Sequence, residues 1–251
     1  MAEWEAAGAI AEEVLTGVAA GGTEAGGDAA YDCARLIGMV AFDSHERVRR
    51  TYDVVAEPYA AGFRDELAHK PLDRALLTAL LEQAGAGAPV ADLGCGPGHV
   101  TGWLADQGAA AVGVDLSGAM VELARKEHPA VEFRQGDLLD LPARDGEFAA
   151  VVALYSIIHL TAAELTRAFQ EIHRVLRPGG RLLVSFHIGS EVRHLTEWLG
   201  RDVDVDFHFF ALDDIADELD AAGLTTYARL ERGHHPEEVE TRRGYLMAHR
   251  R

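Results

Sequence analysis

Cysteine, methionine, tryptophan and basic residues are all scarce in this chain, and each shortage excludes something. Two cysteines, Cys33 and Cys95, in 251 residues give no disulfide framework. Lys and Arg number 23 against 41 Asp and Glu, a net charge of -18. A nucleic-acid partner needs a basic footprint to neutralise phosphates, and no Lys/Arg-dense face is present, so none is expected. Long apolar runs and a signal-peptide pattern are also missing, which predicts a cytoplasmic protein with no membrane partner. Twelve histidines invite a search for metal ligands. None has the spacing of H-E-x-x-H, no cysteine pair joins them, and the adjacent His234 and His235 would point apart on a strand, so no metal is expected.

Hydrophobic residues make up 48% of the chain, enough for a full core, and one domain with an appended segment is the natural reading. Residues 2–20 have helical composition, with Trp4, Ile10, Val14 and Leu15 among alanines and glutamates. A glycine cluster at about 21–28 then reads as a linker. Three roles stay open for the first segment: a tail, a helix docked on the body, or a homodimer contact. From Ala29 to Gln83 apolar residues recur at helical spacing, as at Leu76, Leu77, Leu80 and Leu81. Residues 1–86 are therefore read as a helical extension and cap, and 87–251 as the core domain.

The core begins with Val90-Ala91-Asp92-Leu93-Gly94-Cys95-Gly96-Pro97-Gly98, a strand running into a glycine loop and then a helix. Glycines at alternate positions tolerate positive φ and let a ligand press against the main chain. A second short apolar run ends in Asp115, 21 residues after Gly94, where a carboxylate is placed to accept from ribose hydroxyls. A dinucleotide fits this loop poorly. It would want G-x-G-x-x-G, and Asp92, two residues before the first glycine, would repel a pyrophosphate. The same carboxylate suits a ligand carrying an amino group and a sulfonium.

Beyond the loop, strands are expected near 90–94, 111–115, 131–136, 148–155 and 181–187. Helices are expected near 99–107, 117–127, 161–176, 191–199 and 211–222. Such alternation implies a parallel sheet covered on both faces. Thr225 to Glu231 and Arg243 to Ala248 read as two further strands joined by a polar loop.

Taken together, Asp92 to Gly98, Gly113-Val114-Asp115-Leu116-Ser117 with Met120, Gln135-Gly136-Asp137-Leu138, the fourth strand and Leu176-Arg177-Pro178-Gly179-Gly180 resemble the class I S-adenosylmethionine-dependent methyltransferases. The likeness runs from about Asp92 to Phe186 and is greatest to enzymes acting on quinones and natural products. It implies a Rossmann-like doubly wound seven-stranded sheet with an antiparallel last strand. It implies S-adenosyl-L-methionine as cofactor, held by Asp92, Gly94, Cys95, Gly96, Gly98, Asp115, Leu116, Met120, Gly136, Asp137, Leu138 and Leu154. Asp137 would meet the adenine amino group, and Leu116 and Met120 would wall the ring. Tyr52-Asp53-Val54-Val55-Ala56-Glu57-Pro58-Tyr59 resembles a segment that folds over the cofactor, so Tyr59 or Tyr52 would reach its methionine end or the acceptor, unless both only pack at a helix surface.

Two histidines are candidate catalytic residues. His159 follows the fourth strand and His187 leaves the fifth, and an imidazole on that rim can take a proton near neutral pH. Both can also be packing residues. Glu191, His194, His208, Phe209 and Phe210 follow in segments that would roof an acceptor, and the aromatics favour a partly apolar one. The leading reading is methyl transfer to an oxygen or nitrogen of a small organic acceptor, a secondary metabolite. The alternative is a protein that binds the same cofactor without transferring its methyl; a nicotinamide-dependent oxidoreductase is the third reading.

Overall fold

The computed structural model describes residues 29–236 and 238–251, with side chains from residue 44 onward. The expected first helix over 2–20, the glycine linker and Cys33's side chain lie outside these. Helix α1 (Ala29–Phe63) opens the described chain. A 3-10 turn (Glu66–His69) leads to α2 (Pro71–Ala84), which begins with proline at a position that needs no N–H and stops before Gly85 at φ 95°.

The alternating core follows as β1 (Pro89–Leu93), α3 (His99–Asp106), β2 (Ala110–Asp115), α4 (Gly118–Glu127), β3 (Glu132–Gln135) and β4 (Phe148–Leu154). A second 3-10 turn (Ile157–His159) then leads to α5 (Ala162–Val175) and β5 (Leu176–Ile188). Local signals set the helix starts. Ser117 caps α4 by accepting from Met120 N, and Glu164 at the head of α5 accepts from Thr161 N at 2.8 Å.

β5 does not lead to the helix expected near 191–199. That stretch is a strand, β6 (Val192–Trp198), paired antiparallel with β7 (Arg201–His208) in a separate two-stranded hairpin. The two-residue turn is Leu199-Gly200, both at positive φ (52° and 69°), the twist a tight hairpin requires. Val192, Leu195 and Trp198 fall at a helical spacing, but their partners are across the hairpin. After it come α6 (Leu212–Ala221), β8 (Leu224–Arg232) and β9 (Arg242–Arg250).

The main sheet has the order β3-β2-β1-β4-β5-β9-β8. It is parallel from β3 to β5, and β9 runs antiparallel to both its neighbours. Side-chain alternation divides the core. Leu93, Val114, Val151 and Val184 face α5 and α6, whereas Val90, Val152 and Leu183 face α2 and α3. Strand order reverses between β1 and β4, and a crevice outside their carboxyl ends is where this architecture takes ligands. Among the described residues no helix is long and apolar enough to cross a membrane.

Candidate functional site

The glycine loop closes the carboxyl end of β1, and its three glycines do different work. A Cβ on Gly94 would stand 2.4 Å from Ser156 Cβ, and one on Gly98 would stand 2.9 Å from Phe133 Cζ. Those two glycines let the loop pack against the β4 rim and against β3. Gly96 differs: at φ 53°, its Cβ would meet only Tyr59 Cε1, at 3.8 Å. A Cβ here would sit at ordinary van der Waals distance from a tyrosine of α1, so Gly96 is the one of the three whose side-chain position is not blocked by a neighbour.

Asp115 holds this loop. Its carboxylate accepts from Gly96 N and from Ser117 N, each at 2.8 Å. Burial raises its pKa to about 6 while those two N–H groups oppose the rise. A carboxylate has about four lone-pair sites, so two remain for hydroxyls. Asp92 lies beneath the loop, 2% exposed, accepting from Thr101 Oγ1 at 2.6 Å, and burial likewise raises it to about 6. Cys95 is buried against Phe133, and burial pushes its thiol well above the ordinary value. Met120 is wholly buried, while Leu116, Leu138 and Leu154 are half-buried. Gly136 packs where a Cβ would stand 2.4 Å from Pro142 Cδ. The buried Ser156 Oγ, beside Gly94, has no hydrogen-bond partner among the described residues.

Helix α1 crosses these strand ends. Its His45 places Nδ1 2.7 Å from Asp137 Oδ2 and Nε2 3.2 Å from Glu164 Oε1. Asp137 Oδ1 accepts from Leu139 N at 2.8 Å. One turn and more along, Asp53 accepts from Ser117 Oγ at 2.6 Å and from Ala119 N at 3.2 Å. Tyr52 follows suit toward His159, with its hydroxyl 2.7 Å from Nε2. The hairpin packs on the same helix, Arg47 donating to Asp204 at 2.8 Å and Thr51 to Asp204 O at 3.3 Å. Rings fill the space between: Tyr52, Tyr59 and Trp198 meet edge to face, with centroids 5.6–6.0 Å apart.

The two histidines occupy different surroundings. His159 meets Tyr52, Phe207 at 4.8 Å and the Asp206 carbonyl at 2.9 Å. His187 stacks on Phe209 at 5.2 Å, tilts on Tyr155 and bonds Thr241 Oγ1 at 2.9 Å. Burial lowers each to about 4, helped at His187 by Arg243 and Arg193. His194 and His208 lie on the hairpin, and Phe210 packs at its exit against Phe186 at 6.3 Å. Glu191 pairs with Arg193.

Beside His187 lies a buried charge network with no local sequence signal. Tyr245 donates to Asp73 and accepts from Arg232 Nε, each at 3.0 Å, so Tyr155, 3.0 Å away, donates to it. Arg232 grips Glu238 through both nitrogens at 2.5 and 2.8 Å. Glu238 is also 3.2 Å from Lys70 and from Arg243, and Lys70 reaches Glu66 at 2.5 Å. Tyr155 itself has φ 54°, a conformation that L side chains rarely adopt, at the end of β4. His45, Asp53, Trp198 and Phe207 likewise escape sequence reasoning, since each acts through a partner far along the chain. Among the described residues no three His, Cys, Asp or Glu side chains are arranged to hold a metal ion.

Residues 90–180 match a family described as a methyltransferase domain. A probable S-adenosylmethionine-dependent methyltransferase of Mycolicibacterium smegmatis is 36% identical over 141 residues, 56% of this chain and 49% of its own. Residues 90–180 form a methyltransferase domain of the class I S-adenosylmethionine-dependent kind. A demethylmenaquinone methyltransferase of Beutenbergia cavernae is 34% identical over 55% of this chain and 54% of its own length. The 1,6-didemethyltoxoflavin-N1-methyltransferase of Burkholderia thailandensis, solved with that compound and S-adenosylhomocysteine, shares the fold at a TM-score of 0.58 and 20% identity, covering 91% of this chain and 93% of its own. The chain spans about half the length of the curated relatives it matches.

Proposed function

We propose that this protein moves the methyl group of S-adenosylmethionine to an oxygen or nitrogen of a small organic acceptor, a secondary metabolite with a planar, partly apolar body. The observation that carries the reading is the face of Gly96, where among the described residues only Tyr59 comes within 4 Å of a Cβ position and the Asp115 carboxylate accepts from the Gly96 N–H. In this reading Asp115 takes the ribose hydroxyls and Asp137 the adenine amino group. Leu116, Leu138 and Leu154 wall the ring, and Gly94, Cys95, Gly98, Gly136 and Met120 shape the cradle from behind. Asp92 supplies negative charge beneath the methionine end, and Ser156 Oγ is a free buried group on the same rim. When bound, the cofactor supplies an electrophilic methyl on a sulfonium.

The chain's own part is to orient and to exclude water, the two effects on which an in-line displacement most depends. Helix α1 and the hairpin cover the glycine loop with Tyr52, Tyr59, Trp198 and Phe207, rings suited to a flat acceptor. The relatives' names, a menaquinone precursor and a nitrogen heterocycle, support such an acceptor. His159 and His187 are both neutral at physiological pH, the form a base must have. In this reading the acidic chain works in the cytoplasm, without nucleic acid or metal.

Calorimetry with S-adenosylhomocysteine tests the cradle. The wild-type chain should bind it, and Gly96→Leu should lose binding by more than about a hundredfold because the side chain occupies the ligand's space. Undiminished binding by Gly96→Leu would sink the assignment. Methyl-labelled cofactor with a panel of hydroxylated and nitrogen-containing ring compounds, read by mass spectrometry, then separates transfer from binding alone.

A further inference from the structure

His159 has two ring nitrogens, and both are committed. Nδ1 lies 2.9 Å from the carbonyl of Asp206, which can only accept, so Nδ1 carries the proton. In the neutral ring Nε2 then offers a lone pair, and its partner at 2.7 Å is the Tyr52 hydroxyl, which must donate. One imidazole thus joins three segments: α1, the turn after β4, and the hairpin. An acceptor cannot reach the Nε2 lone pair while Tyr52 holds it. It can reach the hydroxyl oxygen of Tyr52, whose own lone pairs are unfilled by any hydrogen bond found among the described residues.

We propose that Tyr52 is the group that faces the acceptor, with His159 acting behind it as a positioning residue that takes up the proton through the tyrosine. The proposal rests on the methyl-transfer reading and adds to it a residue and a proton path. As the acceptor's lone pair bonds the methyl carbon and the carbon–sulfur pair stays on sulfur, the acceptor's proton passes to Tyr52 Oη. Tyr52's proton passes to His159 Nε2. The positive charge that began on sulfur ends on an imidazolium whose Nδ1–H already points at a carbonyl. Tyr52 sits near the cradle: its ring is 6.0 Å from that of Tyr59, which covers Gly96.

The groups facing His159 are Tyr52 from α1, and the Asp206 carbonyl, the Asp206 carboxylate and His208 from the hairpin. Burial is the largest influence on the ring and keeps it neutral down to about pH 4, with His208 adding to the effect and Asp206 opposing it. A donated hydrogen bond from Tyr52 favours that neutral form further.

Nitrogen-15 NMR of the full chain, with S-adenosylhomocysteine as probe, reads this directly, the His159 signal being assigned by its loss in His159→Ala. The wild-type ring should be the Nδ1–H tautomer and titrate near pH 4. Tyr52→Phe, which keeps the ring and its packing, should raise that midpoint by about one pH unit, the equivalent of one ordinary hydrogen bond. It should also speed release of S-adenosylhomocysteine by roughly tenfold, with His159→Ala matching it and the double variant no faster than the quicker single one. An Nε2–H tautomer in the wild type, a midpoint unmoved in Tyr52→Phe, or additive effects in the double variant would overturn the proposal. Failure of the cofactor reading is seen separately, in a wild-type chain that does not bind S-adenosylhomocysteine, and would take the proposed proton path with it.

Discussion

The two sides of the carboxyl rim are held by different kinds of contact. Over β3, β2, β1 and β4, α1 and the hairpin are tied by ring edges, by partly exposed pairs such as Arg47–Asp204, whose side chains are 32% and 56% exposed, and by a few isolated, more buried contacts, His45–Glu164 and Tyr52–His159. On the β5–β9–β8 side, Glu238, Arg232, Arg243, Lys70 and Asp73 pair in the interior, with Glu238 and Arg232 8% and 10% exposed. Exposed pairs contribute about 0–1 kcal/mol each, whereas removing one member of a buried set costs about 3–5 kcal/mol because the others are left uncompensated. The cover over the cradle is therefore made of ties that can be exchanged singly. The wall beside His187 is a fixed frame. In the proposed function, admitting and releasing a cofactor draws on both.

The sharpest break of this contrast is Glu238→Ala. It leaves Arg232, Arg243 and Lys70 without their shared carboxylate, and the expected loss of stability is about 3–5 kcal/mol by chemical denaturation. S-adenosylhomocysteine affinity of the folded fraction should be unchanged, since Glu238 touches nothing in the cradle. Against burial, Arg232 and the His235 N–H hold Glu238 far below the usual carboxylate range. Glu66 is held at about 2 by His99 and Lys70, again against burial. Both contributions are full above the unfolded carboxylate value and are lost as pH falls through the folded one. An acid-unfolding midpoint that does not rise in Glu238→Ala would remove the network from its structural role.

Next in size is Asp115→Ala. The side chain both accepts from Gly96 N and, in the proposed function, meets the ribose, so affinity for S-adenosylhomocysteine should weaken by roughly 1.5–3 kcal/mol. The fold should survive, because the β1–β2 register is carried by the strands themselves. Unchanged affinity with collapsed thermal stability would make Asp115 purely structural.

What the sequence disclosed follows the same divide. Alternating apolar strands and helices and the glycine loop are local signals, and every expected core strand lies within a few residues of the observed one. β5 is the exception in length, since it starts at Leu176 rather than near 181 because the Leu176 end pairs across to Phe148. The hairpin was hidden for a physical reason. Its turn uses Leu199 at positive φ where asparagine or glycine would have announced it. The charge network and the contacts of α1 were illegible because they join residues such as Asp73 and Tyr245, 172 positions apart. Asp137 shows the limit clearly: its place after β3 was legible, but not that His45 of α1 would engage its carboxylate.

The smallest effect concerns that contact. Hydrogen bonds to Asp137 and then to Glu164 raise His45 from 6.5 to about 9 against the opposing effect of burial. Glu164, pushed up by burial, is nonetheless held at about 2 by His45 and Thr161. A raised folded value means that His45 contributes fully below pH 6.5, less and less from there to pH 9, and nothing above it. The carboxylates behave oppositely, so Glu164's share is full above 4.5 and fades as pH falls toward 2. Between these limits all three groups are charged and α1 is pinned at its His45 end. The pair is half-open to solvent at Asp137, so the contribution is about 1 kcal/mol. Amide exchange across residues 45–53 should accordingly quicken between pH 7 and 9 beyond its intrinsic rise, by roughly fivefold for that energy. His45→Gln should show the faster exchange already at pH 7 and no further gain. If the wild type and His45→Gln quicken alike across that range, His45 does not pin the helix, and the side-chain ties of α1 to the strand ends reduce to Asp53 and Tyr52.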